Sequence, residues 1–271
     1  MMRDLGRVAA ATVSLLVLQA LAAKALLPPL PGGEGNVAAW AALSDLLIAA
    51  VMVLVARRMR GGWARPLALF LVSFGLQAVN LLEAVFFALN IPRAVLLPLA
   101  LDQLVVSALL ALIVDRLAGR GPETAAQEPR TAAGWAARLA ATDAAFVATY
   151  FAAGIAVFPF VASFYAGHLP SGRAVLLMQV FRGLLMSGIV LLLSERTAGG
   201  RGAHALLSAV TFGVLSGVAP LIVPNPFMPD AVRHAHLVEV GLSLPCWAAL
   251  AAFVLSRARP VPAVDAGRRA A

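Results

Sequence analysis

Eight long apolar segments constrain the fold of this chain more than any other feature of its sequence. Each is long enough to cross a hydrocarbon layer of about 30 Å as a helix, which takes about 20 apolar residues. Membrane-spanning β-strands would alternate polar and apolar residues over about 10 positions, and these Leu- and Ala-rich segments do not alternate. We therefore predict an all-α integral membrane protein with eight transmembrane helices, at residues 8–27, 38–56, 67–89, 94–114, 144–164, 174–194, 206–223 and 236–255.

The composition agrees with a chain embedded in a membrane. Of the 271 residues, 61% are hydrophobic and 13% are charged, whereas a soluble domain carries about 25% charged residues. A single core cannot bury so much apolar surface, which excludes a soluble enzyme, a disordered protein and a nucleic-acid-binding module. The single cysteine, Cys246, lies in an apolar run, so the sequence contains no disulfide framework and no thiolate metal cluster.

The arginines predict the orientation of the chain. With both termini in the cytoplasm, sixteen arginines between Arg3 and Arg269 lie in inner segments, and three lie in outer loops: Arg93, Arg173 and Arg233. This split follows the positive-inside rule, and it accounts for the net charge of +8 without a nucleic-acid partner. We expect a multi-pass protein of the inner (plasma) membrane, with the lipid bilayer as its partner. A cleavable signal peptide ending near Ala25 is the alternative for the first segment.

The sequence also repeats itself at a shift of 138 residues. Residues 44–76 align with residues 182–214 without a gap, and ten of the 33 pairs are identical, including an arginine, a Gly-Gly pair and a Phe-Gly pair. At a shift one residue smaller, Asp102 aligns with Glu239. Four helices return the chain to the same side, so the copies would be parallel repeats related by a pseudo-two-fold axis along the membrane normal. The expected organisation is a first four-helix repeat at 1–115, a cytoplasmic linker at 116–140 and a second four-helix repeat at 141–271.

Charged residues inside the predicted spans mark the candidate site. An intramembrane charge costs about 2.5–3.5 kcal/mol on insertion scales, so each needs a partner, a cavity or a function. All of them fall in the outer half of the predicted bilayer: Lys24, Asp45, Glu83, Asp102, Arg182 and Glu239. Polar residues three positions away share a helix face with three of these groups. We expect an outward-facing polar cavity between the repeats, lined by the substrate- or ion-binding residues Glu239, Asp102, Glu83, Arg182, Asp45, Asn80, Gln179 and His236.

Structural roles remain open for several of these groups. Arg182 can be the ion-pair partner of Asp45 or Glu83, and Lys24 can extend to the outer headgroups. The carboxyl groups in the spans can also stay neutral and donate hydrogen bonds between helices. Elsewhere, we expect Asp143 to cap the fifth helix.

The histidines suggest no metal centre. Three of them fall at the outer surface: His168, His234 and His236. No second Glu-x-x-His motif and no His-x-x-x-His motif accompanies them, so we predict no metal and no cofactor. The fourth, His204, falls on the cytoplasmic side, where we expect it to be solvated.

The sequence contains none of the common catalytic signatures. It has no Gly-x-Ser-x-Gly nucleophile elbow, no His-Glu-x-x-His motif and no P-loop, and it identifies no catalytic residue. Intramembrane carboxylates beside an arginine favour a small permease that moves a small molecule or an ion, with proton or cation uptake at the carboxylates. One alternative is a non-catalytic membrane subunit or sensor. A second alternative is a membrane enzyme that acts on a lipid-linked substrate at the outer leaflet.

Overall fold

The chain folds into long helices with short connections. The computed structural model describes residues 2–28, 36–87, 91–122, 130–167 and 169–257, and within these ranges no β-strand forms. A π-helical segment, Gly213–Val218, directly connects the helices Arg201–Phe212 and Ala219–Ile222. The helices are α1 (Met2–Leu26), α2 (Val37–Arg58), α3 (Ala64–Phe86), α4 (Arg93–Ala118), α5 (Ala132–Tyr165), α6 (Gly172–Arg196), α7 (Arg201–Phe212), α8 (Ala219–Ile222) and α9 (Asp230–Leu255).

Within the described ranges, eight helical stretches are long and apolar enough to span a membrane. Seven are single helices, and the other is Arg201–Ile222, which joins α7, the π-helical segment and α8. Large apolar side chains along these stretches are exposed, as in a helix that faces hydrocarbon: Val13, Leu97, Ile155, Phe160 and Leu242. The prediction of an all-α, multi-pass chain with eight helices of spanning length is confirmed.

Each helix packs mainly within its own half of the sequence. In the first half, α1 packs against α2 and α4, and α4 also packs against α3. In the second half, α5 packs against α6 and α9, and α9 also packs against α7. Between the halves, α3 packs against α6, while α2 packs against the span formed by α7, the π-helical segment and α8.

A backbone bridge joins the ends of α2 and α6 across the two halves. Met59 and Thr197, which follow these helices, form an isolated antiparallel bridge, and both are fully buried. The amide of Arg60 donates to the carbonyl of Arg196, and the reciprocal bond runs from the amide of Ala198 to the last residue of α2, both at 2.8 Å. The halves are therefore joined by main-chain bonds at the end where the basic loops lie.

Small residues let the π-helical segment approach α9 closely. A Cβ atom added to Gly217 would lie 3.5 Å from the Cα atom of Gly241, and one added to Gly213 would lie 3.3 Å from the Cβ atom of Pro245. Such close contact between helix backbones is how small residues stabilise membrane helix pairs. The wider turn of a π-helix also shifts the face that the following residues present, and such turns are frequent at functional sites.

The fifth span begins earlier than its hydropathy predicts. α4 runs to Ala118 and α5 begins at Ala132, so both helices enter the predicted linker, of which residues 123–129 lie outside the described ranges. Alanine-rich sequence has high helix propensity, and Thr131 caps the first turn by accepting a hydrogen bond from the amide of Gly134. Arg138, in this early part of α5, donates to the carbonyl of Val254 at the end of α9.

Two predictions at this end of the molecule are wrong. Asp143 does not cap α5, because the helix begins at Ala132; its carboxylate instead lies against Gly183 in α6. His204 is not solvated, because the start of α7 packs against the end of α9. The His204 ring is buried, with Nδ1 2.9 Å from Ser256 Oγ and Nε2 3.2 Å from the carbonyl oxygen of Thr197.

Candidate functional site

A cavity of about 310 Å³ lies among α3, α5, α8 and α9, with one α6 side chain, Arg182, at its wall. Side chains from both α3 and α5 line the cavity. Most of its wall is apolar. The polar groups fall into two clusters, one around Glu83 and one around Glu239, and both belong to the part of the bundle where α3 and α5 end and α9 begins.

The first cluster is a buried ion pair between the two halves of the chain. Arg182 Nη1 lies 2.5 Å from Glu83 Oε1 and also donates to Gln179 Oε1 at 2.9 Å. The amide nitrogen of Gln179 lies 3.4 Å from the same Glu83 oxygen. Gln179 sits one turn before Arg182 on α6, so the two side chains reach the carboxylate together. The guanidinium also lies over the ring of Phe146, 5.7 Å from its centroid.

The second cluster is a chain of hydrogen bonds between α5 and α9. The hydroxyl of Tyr165 lies 2.9 Å from His236 Nε2, and His236 Nδ1 lies 2.7 Å from Glu239 Oε2. His236 and Glu239 are three residues apart on α9, which places them on one helix face. The imidazole therefore connects a phenol on α5 to a carboxylate on α9.

Asn80 forms a second polar link from α3 to the other half. Its amide nitrogen donates to the carbonyl of Ser216 at 3.0 Å, and the Ser216 hydroxyl donates to Asn80 Oδ1 at 2.8 Å. Ser216 belongs to the π-helical segment, and Asn80 lies one turn before Glu83 on α3. This reciprocal pair satisfies both side chains and fixes the α3 face that carries Glu83.

Aromatic rings form much of the remaining wall. Phe146 and Trp247 pack edge to face with their centroids 5.0 Å apart, and the Trp247 indole donates to the carbonyl of Thr142 at 2.9 Å. At the opposite end of the cavity, the rings of Phe87 and Tyr165 lie 6.0 Å apart. The two polar clusters are therefore bordered by aromatic rings.

The structure brings together six of the eight predicted site residues and leaves two apart. Glu83, Arg182, Asn80, Gln179, His236 and Glu239 lie in or beside the two clusters. Asp45 is fully buried in α2 and has one oxygen without a partner in the described ranges. Asp102 lies in α4, and it too has an unpartnered oxygen within those ranges. Neither residue lines the cavity, and a binding role for them stays a prediction.

Two of the three histidines that the sequence predicts at the outer surface lie in the described ranges, and they have different surroundings. His236 faces the cavity, while His234 Nε2 lies 3.4 Å from Arg233 Nη2. His168 lies outside the described residues. Across the ranges that the structure describes, no three His, Cys, Asp or Glu side chains are close enough to hold a metal ion.

The two tyrosines are site residues that sequence reasoning missed. The chain contains two tyrosines, Tyr150 and Tyr165, and both line the cavity from α5. Tyr165 is hydrogen-bonded to His236, and Tyr150 lines the same cavity as Glu83, Arg182 and Glu239. Residues 150, 154, 158, 161 and 165 have the spacing of one helix face, and this spacing is visible in the sequence. None of them is charged, so the cost of intramembrane charge does not identify them as site residues.

No protein-family model, curated protein or solved structure matches the chain. The functional assignment therefore depends on the chemistry of the cavity itself.

Proposed function

We propose that the protein is a small permease and that the cavity is its substrate site. The observation that carries this proposal is the convergence of two carboxylates, a guanidinium and an imidazole on one cavity inside membrane-spanning helices. Ionisable groups at such depth are costly and typically mark substrate or proton pathways. A scaffold subunit needs polar groups only as helix-to-helix links, and it does not need a cavity of about 310 Å³ beside them.

The polar links in the cavity connect substrate binding to the contact between the halves. Both the Glu83–Arg182 pair and the Asn80–Ser216 pair run from α3 to the second half of the chain. A ligand or a proton that competes for the Glu83 carboxylate would weaken this contact directly. The site can thereby bias the relative position of the halves, which is the coupling that a transport cycle needs.

Duplication is supported by the way the halves meet. Met59 and Thr197 are separated by the same 138 residues as the sequence repeat, so a two-fold axis would convert each bond of their bridge into the other. The packing contacts within the two halves also correspond. α1 packs against α2 and α4 as α5 packs against α6 and α9, and α3 packs against α4 as α7 packs against α9. We propose two parallel four-helix repeats that rock against each other about this bridge.

The orientation follows from the arginines at the bridged end. Arg57, Arg58 and Arg196 end α2 and α6 beside the bridge, and basic loops face the cytoplasm in most membrane proteins. We propose a protein of the plasma membrane with both termini inside and with the cavity nearer the outer face. In this state the bridge keeps the cytoplasmic ends of the halves together.

Cysteine accessibility tests the permease without knowledge of its substrate. In a Cys246→Ala background, Ser243→Cys places a thiol at the cavity wall. A site that opens alternately to both sides should let a charged, membrane-impermeant methanethiosulfonate reagent modify this thiol in right-side-out and in inside-out vesicles. Met228→Cys, at the outer mouth of the cavity, should react only in right-side-out vesicles, and Leu250→Cys, on the exposed face of α9, should react in neither.

The labelling pattern separates the alternatives. Modification of Ser243→Cys from one side alone would overturn alternating access and leave a binding subunit or sensor. Modification from neither side, with Met228→Cys still reactive, would show a closed polar core and remove the substrate site as well.

A further inference from the structure

The carboxylate of Glu83, rather than the guanidinium of Arg182, faces the cavity. The Glu83 side chain is 27% exposed and that of Arg182 is 5% exposed. The hydrogen bonds from Arg182 and Gln179 both end on Oε1 of Glu83. Within the described residues no hydrogen bond reaches its Oε2, so this oxygen is an available acceptor. An anionic ligand would therefore meet a carboxylate before it could reach the guanidinium.

Glu239 presents a second acceptor on the opposite wall. Its Oε2 is bonded to His236, whereas its Oε1 lies 3.8 Å from the place that a Cβ atom on Gly154 would occupy. The absence of a side chain at Gly154 leaves space in front of this oxygen. Glu83 and Glu239 both line the same cavity, so the two acceptors face one volume.

The charges that face the cavity leave it one positive charge short of neutrality. Arg182, on α6, balances Glu83, on α3, and with a neutral His236 the Glu239 carboxylate remains unbalanced. α5 contributes the uncharged phenols Tyr150 and Tyr165, and α8 contributes no titratable group. On α9 itself, Arg233 is already bonded to Asp230 and to the carbonyl of Leu221. An unbalanced buried charge is expensive, so the site should take up a cation or a proton.

The rings of the wall suit an organic cation. Phe87 and Tyr165 lie beside one carboxylate cluster, and Phe146 and Trp247 form the deeper wall. Aromatic faces attract ammonium groups, and they also cover the apolar body to which such a group is attached. A cavity of about 310 Å³ lies at the lower end of the range for small-molecule sites, which suggests a compact ligand.

We propose that the cavity binds an organic monocation, an amine or quaternary ammonium group on a compact apolar body, in exchange for a proton held between His236 and Glu239. This proposal rests on the permease function proposed above. When the cation binds, the imidazolium proton leaves to the aqueous phase and the ring stays hydrogen-bonded to Glu239. When the cation leaves, the ring takes a proton from the opposite aqueous phase. One positive charge replaces another, so the exchange is electroneutral and each charge stays balanced.

Binding of a cation and its isosteres to the purified full-length protein in nanodiscs tests the ligand class. The probes are benzyltrimethylammonium, its uncharged carbon isostere neopentylbenzene, and benzenesulfonate as the anion, each titrated by calorimetry. We expect the cation to bind at least about tenfold more tightly than either other probe, a difference of about 1.4 kcal/mol. Tighter binding of benzenesulfonate, or equal binding of neopentylbenzene, would overturn the proposal.

Proton exchange predicts a specific pH dependence. A proton on His236 and the cation compete, so the affinity for benzyltrimethylammonium should fall as pH is lowered. Titrations in two buffers with different ionisation enthalpies should then report about one proton released per cation bound under conditions where the site holds its proton. Affinity that does not change between about pH 5.5 and about pH 8.5 would refute the exchange.

Two variants distinguish the role of the Glu239 charge from the role of the proton on His236. Glu239→Gln should weaken benzyltrimethylammonium binding by about tenfold or more. His236→Asn keeps the carboxylate and should retain binding while it loses the pH dependence and the proton release. Glu195→Gln makes the same chemical change at the bridged end, outside the cavity, and should change neither. Tight binding to Glu239→Gln, or proton release that persists in His236→Asn, would contradict these roles.

The outcomes also distinguish this proposal from the permease itself. Cation binding with a Ser243→Cys thiol that reacts from one side would leave the ligand class intact and remove transport. Two-sided labelling without cation binding would leave a permease for another class of substrate and overturn the exchange.

Discussion

Removing Arg182 should destabilise the protein, and removing Glu83 as well should restore most of the loss. Losing one partner of a buried ion pair costs about 3–5 kcal/mol, because the other charge stays buried without compensation. Arg182 is buried, but 27% of the Glu83 side chain faces the cavity, where water can solvate it. We therefore expect Arg182→Met to lower the free energy of unfolding by about 2–3 kcal/mol, below the range for a fully buried partner.

The double variant isolates the interaction between the two charges. Arg182→Met combined with Glu83→Gln leaves no unpaired charge, and we expect its free energy of unfolding to lie within about 1 kcal/mol of the wild-type value. The measurement is reversible unfolding in mixed detergent and dodecyl sulfate micelles, followed by circular dichroism. Arg57→Met serves as the control, because Arg57 pairs with Asp4 at an exposed position and such pairs contribute about 0–1 kcal/mol. Additive losses in the double variant would show that the two side chains do not stabilise each other.

Three further perturbations test the packing and the topology. Gly217→Val should force the π-helical segment away from α9 and lower the free energy of unfolding by about 1–3 kcal/mol. The control is Gly188→Ala, where the added methyl group meets no atom within 4 Å and the free energy of unfolding should change little. Equal losses in the two variants would contradict the close contact. His204→Ala should lower the free energy of unfolding by about 1–3 kcal/mol, because it removes two buried hydrogen bonds, to Ser256 and to the carbonyl of Thr197, and an unchanged denaturation midpoint would argue against this. In a Cys246→Ala chain, Trp63→Cys is exposed in the loop before α3 and should be labelled from the cytoplasm alone; labelling from outside would invert the topology.

Hydropathy predicts the spans well because the membrane imposes a length and a polarity on every crossing helix. It predicts their ends poorly where the chain leaves the hydrocarbon but stays helical. The start of α5 illustrates this, since its first turns are stabilised by alanine propensity and by Arg138 donating to the end of α9. A contact of this kind joins residues far apart in sequence, so no local window contains it.

The candidate site could be predicted in its residue types but not in its pairing. The cost of intramembrane charge identifies Glu83, Arg182 and Glu239 from the sequence alone. Which acid meets the arginine depends on the rotation of α3 and α6 about their axes, which tertiary packing sets. The repeat alignment does not predict which residues line the cavity. Asp102 aligns with Glu239 in the sequence, but only Glu239 lines the cavity.

The distribution of tyrosine in this chain makes the cavity observable by spectroscopy. Since the two tyrosines of the chain both stand on the cavity wall, biosynthetic incorporation of 3-fluorotyrosine would place both fluorine nuclei at the site and none elsewhere. The fluorine NMR spectrum of the unmutated sequence would then contain two resonances, one beside His236 and one deeper along α5. Occupancy, protonation and opening of the cavity could each be followed as a shift of these lines, with the native side chains in place.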